Sequence, residues 1–395
     1  MYLTLCLIFA FIFLYSISSL GLEQKPVNGA LLFTLLGLLF GPVGLGWLQL
    51  DVRAESLKVL AELTLALVLF TDAAHTNLTA LKRSIGIPIR LLLIGLPLTI
   101  LLGGVIGYLL FPGVPAIELA LLAALLAPTD AALGKAVVTS KKVPADIRST
   151  LNIESGLNDG ICVPIVLSFL AIAVEPEANQ TFRELAIPLI VEELGIGSAV
   201  GLAVALGAHF LVEEASKAKW ISSSWKHIVI LGVAGLCFAA AQAAGGSGFI
   251  AAFVGGLTYG AFKRPYKEQF LSAAEGTGDT FALVTWVLFG AAVVGPALSV
   301  FTPEIIVYSI LSLTIIRMLP VYLSLTPSYL QKKDKLFIGW FGPRGLASVV
   351  FAIIILDSEI SNPGPLIATA VCTITLSILL HGITAGPFTK IFDRT

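Results

Sequence analysis

Charge is what this chain most lacks. Only 12% of its 395 residues are Asp, Glu, Lys or Arg, whereas a soluble globular domain carries about 25%. That deficit excludes an ordinary soluble domain. The net charge of -1 argues against a nucleic-acid partner or a polybasic partner surface. Cysteine is scarce as well. Cys6, Cys162, Cys237 and Cys372 all lie in apolar runs without CxxC spacing, so neither a disulfide framework nor a metal centre is indicated. Each reads as a small buried apolar residue. A positively charged leader is also missing. The apolar run from Met1 to about Leu20 is long enough to span a bilayer and reads as a retained first helix.

What is present is apolar, at 57% of residues. Hydrophobic runs bounded by Gly, Pro and charge predict an all-α polytopic membrane protein of about thirteen helices. The spans fall near 1–21, 28–49, 57–72, 86–111, 115–139, 150–174, 187–212, 225–244, 247–262, 277–297, 303–326, 335–356 and 364–388, each near the required ~20 residues. The expectation is one transmembrane domain over 1–395 with no soluble regulatory domain. Repeat one covers about 1–174, a linking helix about 187–212, and repeat two about 225–388.

Loop charges test that count. Of the 24 Lys and Arg residues, 18 fall in the loops of one side: Lys25, Lys82, Arg83, Arg90, Lys141, Lys142, Arg148, Lys217, Lys219, Lys226, Lys263, Arg264, Lys267, Lys332, Lys333, Lys335, Lys390 and Arg394. The other side holds only Arg53, Lys58 and Arg183. Cytoplasmic loops carry the excess of positive charge. The N-terminus is therefore expected outside, the C-terminus in the cytoplasm, and the span number odd.

Two spans carry residues that helices avoid. One has Ala127-Pro128-Thr129-Asp130, the other Phe341-Gly342-Pro343-Arg344-Gly345. Proline removes a backbone donor and clashes with the preceding turn, and broken helices at membrane depth survive only where they line a cavity or pack on protein. The breaks occupy corresponding places in two six-helix halves, which an odd linking helix makes inverted. Paired breaks of this kind point to a transporter binding site.

A third polar stretch, Glu154-Ser155-Gly156-Leu157-Asn158-Asp159-Gly160, lies in the span after the first break. Ionisable residues inside a membrane are costly and mark function. Ser155 and Asp159 are four residues apart and share a helix face, with Asn158 beside them. Glu154 points roughly 140° away and needs its own partner, for which Arg317 is the candidate. Such a pair serves the arrangement of helices more than stability. Asp159, Asp130, Ser155, Thr129 and Asn158 offer only carboxylate, hydroxyl and amide oxygens, a set suited to hard cations. Low dielectric and a like charge nearby both disfavour an ionised carboxylate. One carboxylate could thus hold either a proton or a small cation, the minimum machinery of cation/proton exchange. Arg344 could offset half-helix C-terminal dipoles or help neutralise the empty site. Asp72 and Glu62 could line an access funnel or gate, and Asp72 could equally be interfacial. His381 reads as a packing histidine.

These motifs carry a resemblance. Pro128-Thr129-Asp130, the Glu154–Gly160 stretch, Ile316-Arg317-Met318, Trp340-Phe341-Gly342-Pro343-Arg344-Gly345 and Ser377-Ile378-Leu379-Leu380-His381-Gly382 resemble the NhaP/NHE branch of cation/proton antiporters in order along the whole chain. The resemblance implies an antiporter fold with two discontinuous helices. It assigns the exchanged ion to Asp159, site roles to Asp130, Ser155 and Thr129, cavity maintenance to Asn158, and an ion pair to Glu154 and Arg317. The Asn-Asp pair resembles the electroneutral members. Further implications are a homodimer in the bacterial inner membrane, Na+ or another monovalent cation and protons as transported ions, and no cofactor. Asp72 departs from relatives that often carry Glu near a gate.

Other readings compete. K+ could replace Na+, since the cavity radius is not written in the residues. A passive channel would need a continuous polar pore rather than two mid-span breaks. Gly276-Thr277-Gly278-Asp279 fits the GxGD pattern of intramembrane aspartyl proteases, but the flanking spans nine and eleven contain no second Asp. An organic-anion carrier would need a neutral or cationic core site. The expectation is therefore a transporter and not an enzyme.

Overall fold

The computed structural model describes residues 2–23, 28–48, 55–75, 86–130, 132–174, 182–222, 225–262, 267–358, 360 and 363–392. The loop cations Lys25, Arg53, Lys82, Arg83, Lys263, Arg264 and Arg394 lie outside them. The described residues form helices and connections, with no strand.

Among the described residues, sixteen helices account for the span pattern. They are α1 (Tyr2–Glu23), α2 (Gly29–Phe40), α3 (Glu55–His75), α4 (Gly86–Leu110, π-wound over Leu91–Gly95), α5 (Ala116–Leu125), α6 (Lys135–Val138), α7 (Ala145–Val174) and α8 (Phe182–Lys217). Then follow α9 (Lys226–Ala243), α10 (Gly248–Ala261), α11 (Lys267–Leu288, running on π-wound through Phe289–Val294), α12 (Pro303–Leu313), α13 (Ile315–Leu325), α14 (Lys332–Trp340), α15 (Leu346–Leu356) and α16 (Gly364–Thr389). Seven spans among the described residues are long and apolar enough to cross a membrane. Large apolar side chains such as Phe9, Leu93, Leu109 and Leu211 stand exposed on the outside, as on a surface facing lipid rather than water. The chain is a multi-pass integral membrane protein.

Several boundaries differ from the sequence expectation, each for a local reason. The second helix stops at Phe40 rather than near 49, because Gly41 and Pro42 end it in an extended C-cap. The helix carrying Asp159 begins at Ala145, directly after Pro144, five residues before the expected start. Helix α11 starts at Lys267 rather than 277, adding ten residues of mixed polarity, nearly three turns, ahead of the expected span. The expected single span 303–326 is interrupted at Thr314, with φ -112° and ψ -93°. This third break has no Pro or Gly to announce it.

The helices pack in two groups. In one, α3 lies against α10 and α11, α2 against α11, and α8 and α9 against α10. In the other, α4 packs on α5 and α13, and α12 on α16. Helices α7 and α15 touch both groups. Small residues set the closest approach: a Cβ on Gly256 would lie 2.3 Å from Phe70 O, and one on Gly260 2.5 Å from Ala74 O. Helix α10 thus presents two glycines four residues apart to the backbone of α3, the small-residue packing that brings membrane helices together. It seats the end of α3 that bears Asp72.

Candidate functional site

The site begins with an accounting of backbone groups. A helix that stops inside a membrane leaves its last carbonyls and first amides without partners, and no water in hydrocarbon takes their place. Helix α5 stops at Leu125 and α14 at Trp340, each followed by non-helical backbone through Pro128 or Pro343. The two breaks satisfy one another. The Asp130 amide donates to Pro343 O at 2.9 Å, and the Leu346 amide, first in α15, donates to Asp130 Oδ2 at 3.1 Å. Ser348 Oγ donates back to Leu125 O at 2.7 Å.

Asp130 therefore uses both oxygens on backbone. Its Oδ1 accepts from the amides of Ala132 at 2.7 Å and Leu133 at 3.3 Å. The negative charge sits at the positive end of α15, where a helix macrodipole favours it. Arg344 supplies the converse. Fully buried, it donates from a guanidinium nitrogen to Gly342 O at 2.9 Å and from another to Ser312 O at 3.3 Å. Ser312 lies in the last turn of α12 before the Thr314 break, so one arginine serves two interrupted helices. Its own amide donates to Ser377 Oγ at 2.7 Å. His381, also buried, holds Nε2 2.8 Å from Trp340 O. Its Nδ1 lies 2.8 Å from Ser377 O, so the ring bridges α16 to the end of α14.

Against this double break lies the polar turn of α7. Thr129 Oγ1 is 3.1 Å from Ser155 Oγ and accepts from Asn158 Nδ2 at 2.7 Å. The i, i+3 spacing of Ser155 and Asn158 puts both on the face that meets the α5 break. Asp159 is buried one residue further on, and its Oδ1 has no hydrogen-bond partner among the described residues. Asn158 Oδ1 is likewise unpartnered. Buried polar atoms are nearly always bonded, so an unpartnered carboxylate oxygen four residues from Ser155 and next to Asn158 in the chain calls for a partner that the described residues do not supply. Asp130 and Asp72 are both within electrostatic reach of Asp159.

Glu154 points elsewhere. Its Oε1 lies 2.6 Å from Arg317 on α13, with both side chains almost wholly buried. The contact lacks hydrogen-bond alignment, and Glu154 Oε2 and Arg317 Nε are unpartnered. Arg317 lies three residues past the Thr314 break. Asp72 and Glu62 are not brought together: ten residues separate them on α3, about 15 Å of helix. Asp72 is exposed near the C-terminal end of α3. Asp130, Glu275 and Asp279 are within its electrostatic reach. Glu62 is half-buried near Lys58 and Asp357, which pair at 2.6 Å between α3 and the end of α15. The spatial neighbour of Asp279 is thus α3, not the spans that flank it in sequence.

Sequence reasoning missed the backbone partners, Ser348, Ser377 and Ser312 O. A serine within an apolar run was the available signal for the two side chains. Nothing local marks which amide a carboxylate will reach.

Fold and site together define a polytopic helical membrane protein organised round two discontinuous helices that meet at a buried carboxylate. The family profile described as sodium/hydrogen exchanger, transmembrane, matches residues 7–391, and the chain belongs to that family. It is similar to the K+/H+ antiporter NhaP of Alkalimonas amylolytica, 24% identical over 91% of this chain and 62% of the relative. The Na+/H+ antiporter of Schizosaccharomyces pombe is 26% identical over 63% of this chain and 56% of its own length. The chain spans about 60% of the length of the curated relatives it matches. A structure of the sodium proton antiporter MjNhaP1 from Methanocaldococcus jannaschii at pH 8 superposes with a TM-score of 0.77, at 21% identity, covering 96% of this chain and 98% of that one.

Proposed function

We propose that the chain is a secondary active transporter that exchanges a monovalent cation for a proton by alternating access, with Asp159 as the shared carboxylate. The observation that carries this reading is the buried, unpartnered Asp159 Oδ1, on the same turns of α7 as Ser155 and Asn158, which both bond Thr129. Asp130 is held by three backbone amides and Arg344 by two carbonyls, so the charges at the breaks compensate the helix ends. Glu154 and Arg317 compensate each other. Asp159 is left as the carboxylate whose charge needs a mobile counterion. One carboxylate satisfied by one proton or one monovalent cation makes the exchange one-for-one and electroneutral.

In this mechanism Asp159 binds the ion directly, with the Ser155 and Thr129 hydroxyls as neutral ligands and Asn158 holding Thr129 in place. Asp130 acts chiefly by keeping the break in register, and Arg344 by the same means. The acidic residues Asp72, Glu275 and Asp279 raise the local cation concentration along the approach to the site. Glu62 belongs to the opposite end of α3.

Sodium is the first candidate ion and potassium the second. The relatives support both, being named as K+/H+ and Na+/H+ antiporters. Under this reading the chain has two inverted six-helix repeats, 1–174 and 225–388, about a linking helix 187–212. It forms a homodimer in the bacterial inner membrane, with the N-terminus outside and the C-terminus cytoplasmic. It needs no cofactor and catalyses no chemical reaction. The test is a pH-gradient assay in proteoliposomes titrated with Na+, K+ and Li+. Cation-dependent collapse of the gradient that is lost in Asp159→Asn supports the proposal; collapse unchanged in that variant sinks it.

A further inference from the structure

Away from the ion site, a groove of about 610 Å³ runs between the C-terminal half of α8 and the N-terminal half of α9. Its size lies within the ~300–1,000 Å³ of ligand pockets. Two glycines create it. Gly207 on α8 and Gly232 on α9 both line the groove, and a Cβ on either would meet nothing within 4 Å. Val204, Leu211, Val229 and Leu236 supply apolar walls. The groove is open rather than enclosed, with Leu211 74% exposed. Its mouth is marked by Trp220 and Trp225, 83% and 63% exposed, the residue type that settles at headgroup depth in a bilayer.

Charge selects the occupant. Lys217 ends α8, Lys219 lies in the connection that follows, and Lys226 opens α9. Lys217 is held by Glu213 and Glu214 at 2.9 Å each. Lys219 is exposed, in a left-handed backbone conformation with φ 58°, and makes no ion pair among the described residues. The loop lies on the side to which the charge asymmetry assigns the cytoplasm. Anionic lipid is concentrated in that leaflet, and basic pockets between membrane helices there bind acidic headgroups. We propose that this groove is a binding site for an anionic phospholipid, its acyl chain lying along Gly207 and Gly232 and its headgroup phosphate meeting Lys219 beside the two tryptophans. The proposal rests on the cytoplasmic placement of this loop but not on ion exchange.

The test uses the full-length purified protein and native mass spectrometry after delipidation. The probes are phosphatidylglycerol and phosphatidylcholine with identical chains. Wild-type protein is expected to retain phosphatidylglycerol preferentially. Lys219→Gln should reduce that preference by about fivefold, the worth of one basic residue near a lipid surface. Gly207→Leu with Gly232→Leu puts bulk into the groove at two positions where a Cβ meets nothing within 4 Å and should strongly reduce retention of either lipid. Should that double variant fail to fold, a chain-length series on wild-type protein carries the same test, with retention expected to rise as chains lengthen. Equal retention of both lipids, no dependence on chain length, or unchanged binding in a folded groove-filled variant overturns the proposal. So does loss of a dimer in that variant with lipid retention intact, which would assign the groove to a second copy of the chain. Asp159→Asn should bind lipid as wild type does, so failure of the exchange reading is read separately.

Discussion

Asp130 and Leu346 lie 216 residues apart in the chain and are joined by one hydrogen bond, the Leu346 amide donating to Asp130 Oδ2 at 3.1 Å. A second bond runs the other way, from the Asp130 amide to Pro343 O at 2.9 Å. Each broken helix thus completes the other.

That clasp requires a residue without a side chain between Arg344 and Leu346. A Cβ on Gly345 would fall 2.0 Å from Asp130 Oδ2. Gly345→Ala should displace the carboxylate, costing about 2 kcal/mol through its lost charge-assisted bonds. Thermal unfolding of the purified variant should show a lowered midpoint, and exchange should fall with it. An unchanged midpoint would mean that the carboxylate finds equivalent partners.

Glu154 and Arg317 should be interdependent. Removing either leaves a buried uncompensated charge and should destabilise by about 3–5 kcal/mol. Glu154→Gln combined with Arg317→Gln should recover most of that loss, because no charge is left stranded. A double-mutant cycle of unfolding free energies measures the coupling. A double variant worse than both singles would break the pairing.

Competition at Asp159 fixes the direction of pH dependence. A carboxylate must lose its proton to hold a cation, so acid weakens cation binding. The apparent cation KM should rise by about tenfold per unit of falling pH once the site is mostly protonated. Initial exchange rates at several cation concentrations and pH values test this. A KM that stays constant while the maximal rate falls would place the titrating group outside the cation site. Asp130→Asn should behave differently from Asp159→Asn, lowering the unfolding midpoint as well as the rate.

Lys58 and Asp357 pair at 2.6 Å between α3 and the end of α15, with both side chains partly exposed. Their contribution to stability should be small, about 1 kcal/mol or less. The pair nevertheless joins one helix group to a helix that bears the second break. Lys58→Met should leave the unfolding midpoint nearly unchanged while altering the exchange rate. If midpoint and rate are both unaffected, the contact is only a surface ion pair.

Much of this was legible in the residues. Hydropathy located the membrane helices because burial in lipid acts on each stretch of chain separately. Proline and glycine announced the breaks at Ala127–Asp130 and Phe341–Gly345, since the missing amide at Pro128 and Pro343 is a local fact. Helical periodicity separated Glu154 from the face shared by Ser155 and Asp159. The break at Thr314 was not legible: its residue is ordinary, and Arg344, from the break between α14 and α15, donates to Ser312 O just before it. Helix ends drifted for the same reason, as in α11, where Phe270 and Leu271 are buried ahead of the expected start at 277.

By itself, then, the sequence determined that the chain lives in a membrane, where its helices fail, and which polar residues must find partners. Tertiary structure decided which partner each one found. Asp130 went to the amides of Ala132, Leu133 and Leu346, Arg344 to the carbonyls of Gly342 and Ser312, and Arg317 to Glu154. Asp159 was left with an open oxygen. The physical reason is that cost is local while satisfaction is not. A buried amide or carboxylate is expensive wherever it stands, but the atom that relieves it is chosen only when the two broken helices are brought together.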